Sequence, residues 1–99
     1  MSTLSSRPTA PIVVKRRGRD DEVFDPRKLQ QSILATCLSL QTPIGHAEDV
    51  AARVTRGVQQ WCRHHPTMTS DDIRRQATHW LLPLHSEAAY LYNQHKTIV

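Results

Sequence analysis

The chain has 99 residues, with 13 Lys or Arg against 9 Asp or Glu, and a formal charge of +4. That length allows one domain with a modest core and excludes two, while 38% hydrophobic content favours folding over disorder. Apolar runs such as "IVV" and "WLL" are too short to cross a membrane, and "MSTLSSRPTAP" lacks the apolar stretch of a secretory signal. A cytoplasmic protein is expected.

In chain order, residues 1–10 are rich in Ser, Thr and Pro and are predicted to be a disordered tail, with the domain proper at 11–99. "IVVKR" has the β-branched content of a strand and "DEVF" reads as a second. Between them "RGRDD" carries Gly18, which can take a positive φ, so a β-hairpin is predicted. Asp25-Pro26 then opens a helix: Asp caps, and Pro suits a first position that needs no N–H. Leu29, Ile33, Cys37 and Leu40 form its stripe, with Leu34 and Leu38 alongside, and "QTPIG" ends it.

A second helix follows from Ala47, Val50, Ala51, Val54, Val58, Trp61 and Cys62, closed by Pro66. "MTSDDI" opens a third, with Thr69 or Ser70 as cap and Asp71 and Asp72 at the positive end of the dipole. Its stripe is Ile73, Ala77, Trp80, Leu81 and Leu84. Pro83 weakens its last turn, and Ser86 is the expected cap of a fourth helix, "EAAYLYNQHK". The predicted fold is α+β and mostly helical: an N-terminal hairpin capping a compact four-helix bundle. A two-stranded ribbon is marginal in water, so it must lay one face on the helices. The side of the ribbon nearest the first helix becomes a seam.

Charge concentrates at that seam. Residues 1–28 hold seven Lys or Arg and four Asp or Glu, which accounts for +3 of the net charge. Such an end attracts nucleotides, nucleic acid or acidic proteins. Lys15 and Arg16 end the first strand, and Lys28 lies in the first turn of the first helix. Cations beside a helix N-terminus suit polyphosphate. Glu22 or Asp25 could accept from an adenine amino group or a ribose hydroxyl, so mixed charge fits a nucleotide better than bare phosphate. Each residue also has an ordinary role: Lys15 and Lys28 as solvated charges, and Asp25, Thr69 and Ser70 as caps.

"VVKRRGRDDEVFDPRKL", a four-helix pattern, "TSDDIR" and the late "SEAAYLY" together resemble the ATP-cone. That regulatory nucleotide-binding domain begins many ribonucleotide reductase large subunits and forms the effector domain of the bacterial repressor of reductase genes. The resemblance covers about Pro11 to Lys96. It implies that Lys15, Arg16 and Lys28 hold phosphates, that Glu22 contacts the adenine side, that Thr69 or Ser70 reaches the nucleotide, and that Val14 lines the base pocket. Arg17 departs from the family's usual Asp, and the turn between Gly18 and Glu22 is one residue longer. Both bear on affinity and base preference. Lys96 is a loose match to a basic residue late in the last helix.

The implied ligand is ATP or dATP as an effector, with Mg²⁺ on the phosphates. The implied partners are further copies of the chain and a reductase subunit acting in trans. Two rivals remain: a basic DNA-binding protein using Arg16, Arg17 and Arg19, which the interleaved acids disfavour, and a degenerate cone kept for dimerisation or docking. "WCRHHP" lacks a second cluster at finger-like spacing, so zinc is not expected, and the zinc ribbon that precedes the cone in the repressors has no counterpart in the Ser/Thr/Pro-rich start. Cys37 and Cys62 fall on apolar faces as small hydrophobes. Trp61 and Trp80 read as core, and one of Tyr90 and Tyr92 packs inward. No nucleophile–base pair or phosphate-binding glycine loop is legible, so catalysis is not expected.

Overall fold

The computed structural model describes residues 12–14 and 22–94. The expected tail, the "RGRDD" turn with Gly18, and the end of the fourth helix beyond Gln94 lie outside them. Three short strands and four helices follow one another: β1 (Ile12–Val14), β2 (Glu22–Val23), α1 (Pro26–Ser39), α2 (Ile44–Cys62), β3 (Thr67–Thr69), α3 (Ser70–Leu81) and α4 (Ser86–Gln94).

The sheet has an unexpected member. β1 pairs with β2 antiparallel, Ile12 with Val23 and Val13 with Glu22. On its other edge β1 pairs parallel with β3, in the order β2-β1-β3. The expected ribbon had two strands. Thr67-Met68-Thr69 alternates exposed, buried and half-buried, as a strand over a core should, and Met68 reaches Cys62, sulfur to sulfur, at 3.6 Å.

Local chemistry sets the helix ends. Asp25 Oδ1 accepts from the Arg27 N–H at 3.0 Å, and Pro26 occupies the first turn. α1 closes through Gln41, which takes φ 61° so that the Gln41 and Thr42 N–H groups donate to Leu38 and Cys37 carbonyls at 2.9 and 3.1 Å. α2 begins at Ile44, one turn before the apolar stripe read from Ala47, with the Ala47 N–H on the Pro43 carbonyl at 2.8 Å. Thr69, of the two expected caps, serves α3. Its Oγ1 accepts from the Asp72 N–H at 3.1 Å, and its own N–H donates to Asp72 Oδ2 at 3.0 Å. At α4 the cap is His85 instead of Ser86: the Ala88 N–H points to His85 Nδ1 at 3.4 Å, and His85 Nε2 meets Thr42 Oγ1 at 2.9 Å. The imidazole therefore ties the α1–α2 connection to the start of α4.

Leu29, Ile33 and Cys37 of α1 are buried against Val50, Val54 and Val58 of α2, Ile73 and Leu81 of α3, and Tyr92 of α4 within one core. Val13, Phe24 and Met68 add the sheet to that core. Contacts join α1 to α2, α2 to α3, α3 to α4 and α4 back to α1. Ala47, Ala51, Ala77, Ala88 and Ala89 are all buried and let the helices approach closely. Both cysteines are free and buried, and burial pushes the Cys62 thiol up to about 11. No described helix is long and apolar enough to cross a membrane.

Candidate functional site

The parallel register decides what meets at the seam. Val14 lies level with Thr69, and Ser70 begins α3, so β1 ends beside the N-terminus of α3. β2 runs the other way: Glu22 is level with Val13 and Val23 with Ile12, and the chain then passes through Phe24 and Asp25 into α1. The structure thus brings Val14, Thr69 and Ser70 together at one end of the sheet. Asp25 and Lys28 follow from the opposite end, and Glu22 lies between. Along β1 the ends are only about 7 Å apart at strand spacing. Lys15 and Arg16 lie outside the described residues.

The two helix starts differ electrostatically. The first turn of α1 holds no acid, and Arg27 and Lys28 are exposed there. α3 carries Asp71 and Asp72 in its first turn. An anion is therefore favoured at α1 and opposed at α3, while hydrogen-bond donors are favoured at α3. Asp25 is exposed and engaged as the α1 cap. Thr69 and Ser70 are half-buried. Thr69 Oγ1 accepts within the capping box, which leaves its O–H able to donate.

Sequence reading missed a polar cluster among α1, α3 and α4. Ser32 of α1 and Tyr92 of α4 share a hydrogen bond of 3.0 Å between hydroxyls. Arg74 of α3, one turn beyond Ser70, is buried and paired with Asp71. Desolvation pushes the Tyr92 phenol up to about 12, with the Ser32 hydrogen bond and the Arg74 charge pulling the other way. A signal for Arg74 did exist: it stands three residues before Ala77 and seven before Leu81, on the buried stripe.

A cleft of about 1070 Å³ opens along α2, between that helix, the α3–α4 turn and the start of α1. Of the sequence-predicted site residues whose side chains are described, Asp25, Lys28, Thr69 and Ser70, none lines it, although Phe24 and Pro26, on either side of Asp25, do. Trp80, expected in the core, lies here instead and is 37% exposed. Trp61 is half-buried and stacks on His65 at 4.1 Å between ring centroids. Tyr92 is the inward tyrosine, and Tyr90 is 71% exposed. Among the described residues no group of three or more His, Cys, Asp or Glu is placed to hold a metal. Compared with family models, curated proteins and solved structures, the chain matches none of them.

Proposed function

We infer that the protein is a regulatory adenine-nucleotide-binding domain of the ATP-cone kind, with ATP or dATP held at the seam of sheet and helices. The observation that carries this reading is the β1–β3 register, because it sets two helix N-termini against the ends of one three-stranded sheet. The charges there suit the two halves of a nucleotide. Phosphates go to the α1 start, where Lys28 and Arg27 meet them. The sugar and base go towards Val14, Thr69 and Ser70, where the acids of α3 favour donors such as ribose hydroxyls. Lys15 and Arg16 follow Val14 in the chain, and to add their cations to the phosphates, as the resemblance implies, they would have to reach back about 7 Å along the sheet; Glu22 accepts from the adenine amino group. Mg²⁺ would ride on phosphate oxygens, since Asp25 and Asp72 are already engaged as caps.

The ligand is an effector that is not consumed. Filling the seam fastens β1 to α1 and α3 together, and the ribose hydroxyl distinguishing ATP from dATP falls at the α3 end. A switch follows when that difference biases two packings of the helices and so alters self-association or docking to a partner. The partner is a nucleotide-metabolism enzyme acting in trans, a ribonucleotide reductase subunit foremost. Two buried free thiols suit a reducing, cytoplasmic setting.

Titration calorimetry and thermal unfolding test this directly. At a hundred times its Kd, ATP adds about 2.7 kcal/mol of stability, a rise in Tm on the order of 10 °C for a domain of this size. GTP is expected to give far less. Equal shifts with every nucleoside triphosphate, or none, remove the reading.

A further inference from the structure

The cleft along α2 has a composition of its own. Arg53, Arg56 and Arg63 line it, Gln60 completes their face of the helix, and no Asp or Glu is among its described lining residues. Arg53 is held by Asp49 at 2.9 Å. Arg56 and Arg63 are exposed and have no ion pair or side-chain hydrogen bond among the described residues. Between them lies Trp80. A Cβ built on Gly57 would sit 2.4 Å from Trp80 Cδ2 and 2.5 Å from Cε2, so the indole lies directly over the bare backbone of α2. One face of the ring is thereby fixed, and the ring, 37% exposed, lines the cleft.

We propose that this cleft binds single-stranded nucleic acid, with a base stacked on Trp80 and successive phosphates on Arg56 and Arg63. An indole platform beside unpaired guanidinium groups is the combination that single strands use, because every base has a π-face and the backbone supplies the anions. From Arg53 to Arg63 the helix rises roughly 15 Å, a span that suits consecutive phosphates of a strand better than those of one nucleotide. A duplex keeps its bases stacked inside and offers nothing to a ring set in a cleft. The cleft meets the start of α1 at Phe24 and Pro26, but Trp80, Arg56 and Arg63, which hold the strand, are none of the residues assigned to the seam.

The test uses the full chain carrying Trp61→Phe, which leaves Trp80 as the sole indole, titrated with an oligothymidylate about twelve nucleotides long. Binding is expected to quench Trp80 emission and to weaken with salt with a log–log slope of about −1.4, for two phosphate contacts. Arg56→Gln and Arg63→Gln, at exposed positions that leave the circular dichroism unchanged, should each lower that slope by about 0.7. Trp80→Ala should weaken binding roughly tenfold. The proposal is overturned if the strand does not bind, if the arginine variants keep the parent slope, or if a poly-glutamate peptide competes as well as the oligonucleotide. It is equally overturned if ATP alone quenches Trp80 and displaces the strand, which would make the cleft a mononucleotide site. Loss of oligonucleotide binding with ATP binding intact, or the reverse, tells the two sites apart.

Discussion

Thr55 presents its hydroxyl to the packed face of α2, and Oγ1 is buried with no hydrogen-bond partner among the described residues. Removing an unsatisfied buried polar group recovers its desolvation cost, so Thr55→Val should stabilise the fold by about 1 kcal/mol in urea unfolding. Gln41 holds a left-handed φ of 61° that glycine adopts without strain. Gln41→Gly should therefore add up to about 1 kcal/mol, by the same measurement. Tyr92 and Cys62 set an alkaline limit. Burial raises both folded pKa values, to about 12 and about 11, above the ordinary 10.0 and 9.0. Below pH 9 both states keep these protons. Between pH 9 and 12 the unfolded chain loses them first, so stability falls as pH rises, by about 3 kcal/mol for each group. Tyr92→Phe should start from lower stability, having lost the Ser32 partner, and then decline less steeply. At this scale the sequence was legible where periodicity ruled: Leu29, Ile33, Val54 and Ile73 are buried as their spacing requires. Trp80 was not, because the same spacing cannot tell a core position from a ring laid over a glycine at the rim.

Helix ends show which local signals suffice. Asp25-Pro26 and Thr69-x-x-Asp72 are complete within a few residues, and both caps form, the second on Thr69, one of the two residues read for it. Asp25→Ala should cost about 1 kcal/mol, measured by thermal melting, through the N–H it leaves unpaired. The α4 cap escaped because His85 gains its place from a partner elsewhere in the chain, Thr42, and not from its neighbours. β3 escaped for a related reason: three residues are too few for a periodic signal, and their partner is β1, far away in sequence. That strand matters most to the proposed site, since without it Val14 has no reason to stand beside Thr69. Gly57 links this scale to the cleft. Gly57→Ala improves helix propensity but drives a methyl into the indole. Its expected signature is a displaced, red-shifted Trp80 emission in the Trp61→Phe chain.

For the whole molecule, the four helices close a ring of contacts around one core, and the sheet lies on it through Val13, Phe24 and Met68. Four helices could be counted from the sequence because apolar spacing marks α1, α2 and α3, caps open α1 and α3, and Pro66 and Pro83 break the chain between helices. The third strand could not, and neither could the polar cluster of Ser32, Arg74 and Tyr92, which exists only once α1, α3 and α4 meet. For the proposed ligand this arrangement offers two routes to the surface: β1 pairs with both neighbouring strands, and the Arg74 charge of α3 acts on Tyr92 of α4. Nucleotide in the seam should therefore slow amide exchange in β1, β3 and the first turns of α1 and α3 before it does so in α2. Calorimetry of ATP with the parent and with folded Lys15→Ala and Lys28→Ala chains is the most direct test. Adenine-selective binding by the parent and at least a tenfold loss in each variant are the expected results. Variants that take up ATP as tightly as the parent, or a parent that takes up none, would contradict the proposed function.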